Sequence, residues 1–246
     1  MEFSGVFLLG YARKKYRKQL MNQQLNNLLE VGEIVLEDGI SGHHILFLSI
    51  IGEIEGHNLS SERIKTTKYE HLLPILAKAQ DSEEIEGIFF LINTVGGDCS
   101  CGLAVAEMIA SIKKPTVSLI IGDSHSIGVP LSVAADRTFI APTATMVLHP
   151  VRLNGTIIGA PQTFEYFKLI QDRILKFVEA HTGVTKSKIE RMMLRQGMMV
   201  KDLGTILVGE MAVKEGLIHE VGGISEALFW LHQEIERRRK RRNYKN

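Results

Sequence analysis

Gly122-Asp123-Ser124-His125-Ser126-Ile127-Gly128-Val129-Pro130 is the stretch on which the reading of this chain turns. It follows an apolar, β-prone run from Thr116 to Ile121 and precedes a helix-prone run from Val129 to Asp136. The nine residues therefore read as a tight strand-to-helix turn with a hydroxyl, that of Ser126, at its apex. Gly122 and Gly128 let the backbone pack closely around such a turn. Pro130 falls in the first helical turn, where its missing N–H costs little.

Upstream of the turn the same alternation repeats. Ile45 to Ile51 reads as a buried strand closed by Gly52, and Thr67 to Lys78 has helical spacing through Leu72, Leu73 and Leu76. Ile85 to Asn93 is a second apolar strand that ends in Thr94-Val95-Gly96-Gly97-Asp98, and a helix is expected from about Ser100 to Ile112. Downstream, Thr138 to Ala141 and Thr145 to Leu148 are short strands. A long amphipathic helix starts at Pro161, with Phe164, Phe167, Ile170, Ile174, Phe177 and Val178 at intervals of three and four, and Gly183 ends it. Its apolar stripe packs either on its own domain or on a neighbouring subunit. Lys186 to Arg195 reads as a shorter helix, and Ser225 to Arg237 as a last one. Strand alternating with helix argues for an α/β domain with a largely parallel, doubly covered sheet.

Composition sets the limits. A chain of 246 residues, 45% hydrophobic and 23% charged, can bury one large core. Cys99 and Cys101 are too few for a disulfide framework and lack the partners of a metal site, so they read as reduced packing residues. The net charge of +1 conceals an asymmetry: Arg13 to Lys18 carries five basic residues and Arg237 to Asn246 seven. Removing those 12 of the 29 cations leaves 17 against 28 carboxylates, a net of −11 for the body. Basic ends of this kind either contact nucleic acid, an anionic membrane surface or an acidic partner, or serve as solvated tails. The short run Val6 to Leu9 is flanked the wrong way for a secretory signal, and no run approaches the ~20 apolar residues of a membrane span. A cytoplasmic protein is expected, with a flexible or partner-dependent arm over 1–30, one domain over 31–236 and a basic tail over 237–246.

Three features carry chemistry. A hydroxyl at a sharp turn before a helix is exposed, with the following N–H groups aimed at charge developing beside it, as at the nucleophile elbow of serine hydrolases, although Ser124 stands where that motif has its first glycine. Gly96-Gly97, after a strand and before a helix, can add a second wall of amides. His149, at the end of Thr145 to Leu148, has an imidazole suited to take a hydroxyl proton and return it to a leaving amine. His125 is a poor base, since neighbours on a sharp turn point apart. His43, His44, His57, His181, His219 and His232 sit in polar or turn surroundings and read as surface. No GxxxxGK[ST] or GxGxxG stretch suggests a nucleotide, and no cofactor or metal is expected.

Asn93-Thr94-Val95-Gly96-Gly97, the Ser126 turn with Ile127-Gly128, Met146-Val147-Leu148-His149-Pro150, Glu179 to Gly183 and Glu210 to Ile218, in this order and spacing, resemble the proteolytic subunit of the Clp protease. The similarity spans roughly Ile45 to Val221, and within that family the blocks are most similar to a member linked to protein export. The resemblance implies a crotonase-like (Clp-type) α/β fold of stacked β-β-α units, with the helix over about 161–182 as a protruding handle. It also implies a serine endopeptidase acting on unfolded polypeptide, with Ser126 as nucleophile, His149 as base, the amides of Gly97 and Ile127 as oxyanion hole, and a homo-oligomeric ring. Any ATP-dependent unfoldase or export machinery would be a separate partner.

For the third triad member the family position falls on Gly204; Asp202, two residues earlier, is taken for it, with Asp172 as a substitute. The alternative is a non-hydrolytic protein that binds preproteins on the same scaffold. An acyl-CoA enzyme of the crotonase type would use carboxylates in place of Ser126 and His149.

Overall fold

A computed structural model describes residues 22, 26–28, 32–37, 39, 42–57, 60–61, 63–152, 159–195 and 204–243. Among the described residues nine strands form one sheet. They are β1 (Glu33–Glu37), β2 (His44–Glu55), β3 (Thr66–Lys68), β4 (Gly87–Gly97), β5 (Thr116–His125), β6 (Arg137–Ile140), β7 (Thr145–Leu148), β8 (Thr205–Val208) and β9 (Glu220–Val221). The helices that accompany them include α1 (Tyr69–Asp81), α2 (Cys99–Ser111), α3 (Gly128–Val133), α4 (Ala160–Thr182), α5 (Lys186–Met193), α6 (Glu210–Lys214) and α7 (Ile224–Asn243).

The main path runs β1-β2-β4-β5-β6-β9, parallel throughout except for the antiparallel β1 at its edge. Its strands are apolar on both faces because both are covered. Ile88, Phe90 and Ile92 of β4 face a core shared with α1 and α2, while Phe89 faces Ala227, Leu231 and Ile235 of α7. Phe47 stacks on Phe89 at 5.1 Å between ring centroids on that second side.

β5 changes partner along its length. Residues Val117 to Ile120 pair with β6, whereas Asp123 to His125 pair with β7, which in turn pairs antiparallel with β8. The strand thus exchanges β6 for β7 on one side just before its turn while still pairing with β4 at Thr94↔Ser124 on the other. This switch places Ser126 beside the strand that ends at His149.

Several boundaries differ from the sequence reading for physical reasons. Gly52 does not close β2: it sits at φ +85 within a register shift, and a Cβ there would collide with the carbonyl of Lys65, so the strand kinks and continues to Glu55. β4 and β5 run on to Gly97 and His125. β1 and β8 carry no strong alternating pattern of their own and gain stability by pairing with β2 and β7.

His43 is buried, 1% exposed, with Nδ1 2.8 Å from Nδ1 of His232 and Nε2 2.8 Å from Glu236. Its partners lie at the far end of the chain, which local polarity does not reveal. α7 extends six residues past Arg237, and Arg237, Arg238 and Arg239 are spent on ion pairs with Glu234, Asp136, Glu86 and Glu236. The tail's free positive charge is correspondingly smaller than its composition suggests.

The long helix is divided. In its second half Ile170, Ile174, Phe177 and Val178 are buried against the domain, while in its first half Phe164, Tyr166 and Leu169 are 66%, 57% and 58% exposed. Among the described residues no helix is long and apolar enough to cross a membrane.

Candidate active site

Ser126 has φ +57, the one non-glycine residue with positive φ among the described residues. Left-handed backbone costs a side-chain-bearing residue about 1–2 kcal/mol and persists only where the surroundings hold it. Here the Ser126 N–H donates to the Val147 carbonyl (2.9 Å), and the Ser126 carbonyl accepts from the Val129 N–H (3.1 Å). Below the turn, Ser124 is fully buried and its hydroxyl meets that of Ser132 at 2.8 Å. A serine therefore replaces the motif's first glycine without strain, because α3 offers it a hydrogen-bond partner. Gly128 is required at its position: a Cβ would stand 2.8 Å from Thr94 Cγ2.

The Gly96-Gly97 loop lies against this turn. A Cβ on Gly96 (φ +98) would fall 2.8 Å from Ser126 Cβ and 2.8 Å from the His125 carbonyl oxygen. Gly97 (φ +147) pairs with Ile54, and Asp98 caps α2 by accepting the Cys101 N–H at 2.8 Å. Ile127, the residue after the hydroxyl, is 1% exposed and fills the space over Gly102, where a Cβ would come 2.6 Å from its Cγ1. Its backbone is thereby fixed from the side-chain end.

His149 follows β7. Its Nδ1 is 2.7 Å from the Pro150 carbonyl oxygen. A carbonyl can only accept, so Nδ1 carries the proton and, in the neutral ring, Nε2 is the basic nitrogen. That is the tautomer a general base needs. Ser126 and His149 both line one small cavity of about 20 Å³, with Cys99, Val129, Ile174 and Met193 among its other walls. Burial, and then the charge of Asp98, push the Cys99 thiol above its usual range. Cys101 is pushed up to about 11 by burial and by its hydrogen bond to Asp98. Both cysteines remain thiols, as expected of packing residues.

The structure thus brings Ser126, His149, Gly97 and Ile127 to one end of the sheet. Asp202 lies outside the described residues, as does the segment Met198 to Leu203; the Gly204 N–H after it donates to the Arg195 carbonyl at 3.0 Å. Asp172, its substitute, is engaged elsewhere: Lys176 at 2.8 Å and Lys186 hold its carboxyl down to about 2, and the pair ties α4 to α5. The apolar walls from α4 and α5, Ile174 and Met193, were not marked as site residues in the sequence. The period of α4 was the available signal, since a stripe at 170, 174 and 178 faces whatever that helix packs upon.

A family model for the Clp protease matches residues 55–225. The chain is 49% identical over 190 residues to the translocation-enhancing protein TepA of Halalkalibacterium halodurans, covering 77% of this chain and 74% of that one. It is 33% identical over 111 residues to the ATP-dependent Clp protease proteolytic subunit 1 of Chlamydia muridarum, covering 42% of this chain and 57% of that one. Among solved structures, a mutant ClpP1 from Listeria monocytogenes superposes with a TM-score of 0.57 at 20% identity, covering 74% of this chain and 94% of the other. The architecture is the crotonase-like α/β fold of these proteins, and the chain belongs to the Clp protease family.

Proposed function

We propose that the chain is a serine endopeptidase that cleaves unfolded polypeptide. The observation that carries this reading is the shared cavity: Ser126, held in a left-handed backbone conformation, and an imidazole whose basic nitrogen is Nε2 line the same apolar pocket. Ser126 attacks the scissile carbonyl as His149 takes its proton. The Gly97 and Ile127 amides receive the oxyanion, His149 returns the proton to the leaving amine, and water releases the acyl-enzyme by the same path. Asp202 is assigned the orienting role at Nδ1, where Pro150 now supplies an acceptor. A pocket with room for about one water-sized group favours a small residue before the cleaved bond.

The exposed Phe164, Tyr166 and Leu169 on the first turns of α4 are assigned to self-association, consistent with a ring of identical subunits. Delivery of substrate by an ATP-driven unfoldase would come from a partner chain. The test is hydrolysis of an unfolded protein: Ser126→Ala and His149→Ala should each lose on the order of 10⁶ in turnover, with Asp202→Asn losing about 10⁴.

A second reading is favoured by the name of the 49% identical relative, a translocation-enhancing protein. On this reading the chain assists preprotein export without hydrolysis. Ser126→Ala would then support export as well as the parent does, whereas the endopeptidase reading predicts that it does not.

A further inference from the structure

Three strands deliver the parts of the site: β4 ends in Gly96-Gly97, β5 runs into the Ser126 turn and β7 runs into His149. One chain of polar side chains crosses all three, a few residues before each of those parts. The Asn93 Oδ1 accepts the Asp123 N–H at 2.9 Å, the Thr145 hydroxyl donates to Asp123 Oδ1 at 2.9 Å, and His125 Nε2 stands 2.8 Å from the Thr145 hydroxyl. We propose that Asn93, Asp123, Thr145 and His125 are positioning residues that set the spacing between the oxyanion loop, the nucleophile and the base. The proposal rests on the endopeptidase reading above.

The ladder shows why such a network is needed here. β4 and β5 pair regularly up to Ile92↔Ile120 and next at Thr94↔Ser124, so three residues of β5 oppose the single Asn93. At such a bulge the main chain loses its regular acceptor, and the Asn93 side chain supplies one for Asp123. Gly122 leaves the room, since a Cβ there would press on Asn93 Oδ1. β5 and β7 pair over only Asp123↔Thr145, Ser124↔Met146 and His125↔Val147. With so short a ladder between nucleophile and base, two side-chain hydrogen bonds across it are a large fraction of what fixes their separation.

Proton accounting gives His125 a defined part. The single Thr145 proton goes to Asp123, so the Thr145 oxygen accepts and His125 Nε2 must donate. Asp123 Oδ1 is also 3.3 Å from the same nitrogen, so a second acceptor holds that proton in place. Burial lowers the His125 pKa, opposed by Asp123, which keeps the ring neutral at pH 7 in this tautomer. Neighbouring the nucleophile in sequence, His125 points to the opposite side of β5 from the buried Ser124 and acts through the strand.

The test uses Thr145→Val, which keeps the side-chain shape and removes the hydroxyl, and Thr145→Ser, which restores the hydroxyl. The rate at which a fluorophosphonate labels Ser126 should fall about 10- to 100-fold in Thr145→Val, as expected for a sub-ångström misplacement of reacting groups, and should largely recover in Thr145→Ser. In parallel, the imidazole ring resonances of His149 should move in Thr145→Val and return in Thr145→Ser. A purely stabilising role would lower Tm and leave both readouts unchanged, and that result overturns the proposal. If the parent protein shows no labelling, the endopeptidase reading falls, and the His149 resonances alone decide whether the network positions that ring. Should Thr145→Val fail to fold, His125→Phe removes the donor at the half-buried end of the network and is read the same way.

Discussion

The backbone N–H of Ser126 donates to the carbonyl of Val147 at 2.9 Å, so the turn that bears the hydroxyl is bonded to the strand that carries His149 two residues later. The two groups come from points of the chain more than twenty residues apart. Their proximity is a property of the β5–β7 pairing.

The left-handed backbone at Ser126 is strain held for the sake of the side chain. Ser126→Gly should therefore raise stability by about 1 kcal/mol while abolishing hydrolysis. Calorimetry of the variant against Ser126→Ala separates the two effects, since alanine removes the hydroxyl and keeps the strain.

Gly96 is constrained twice, by φ +98 and by the 2.8 Å approach its Cβ would make to Ser126 Cβ and the His125 carbonyl. Gly96→Ala should cost about 3 kcal/mol and displace the nucleophile. Denaturant unfolding and peptide hydrolysis should both register the change; a variant of parental stability would show that the loop has slack that the structure does not suggest.

Met193 is a wall of the pocket that, on the proposed endopeptidase function, receives the residue before the cleaved bond. Met193→Ala should shift preference from alanine toward leucine in a series of short peptides, by about tenfold in kcat/KM, the effect of a few methylenes in an apolar pocket. An unchanged preference would place substrate recognition elsewhere.

Although His219 is exposed as a whole, partial desolvation of its ring lowers its pKa from 6.5, with Arg137 adding to the effect, and its ring nitrogen is 2.8 Å from the Thr138 hydroxyl. The unfolded chain takes up the proton near pH 6.5 and the folded one only at lower pH, so stability present above 6.5 declines as pH falls below it. His125 contributes with the same sign. The Tm should drop between pH 7.5 and pH 5.5, and His219→Gln, which retains a polar partner for Thr138, should flatten that drop. An identical pH dependence in the variant would remove His219 from the account.

The turn at Ser126, the end of the strand at His149 and the stop at Gly183 were legible in the sequence because each is set by neighbours within a few residues: a glycine, a strand run, a helical period. What the sequence hid depends on distant partners. Gly52 reads as a stop until Lys65 is seen to occupy the space beside it. His43 reads as surface until His232 and Glu236 arrive from α7. Asn93 and Asp123 look like ordinary strand-end polar residues, and only the bulge between β4 and β5 shows that one completes the other's hydrogen bonding. The Nδ1 contact of His149 with Pro150 likewise follows from the local course of the chain after β7, which periodicity does not encode.

The most direct test of the central claim is intact-mass analysis of the native protein after exposure to a fluorophosphonate, followed by peptide mapping of the adduct. The account predicts one adduct per chain, on Ser126, absent from Ser126→Ala and strongly slowed in His149→Ala. Labelling at another serine, or none on a folded protein whose His149 is intact, would contradict it.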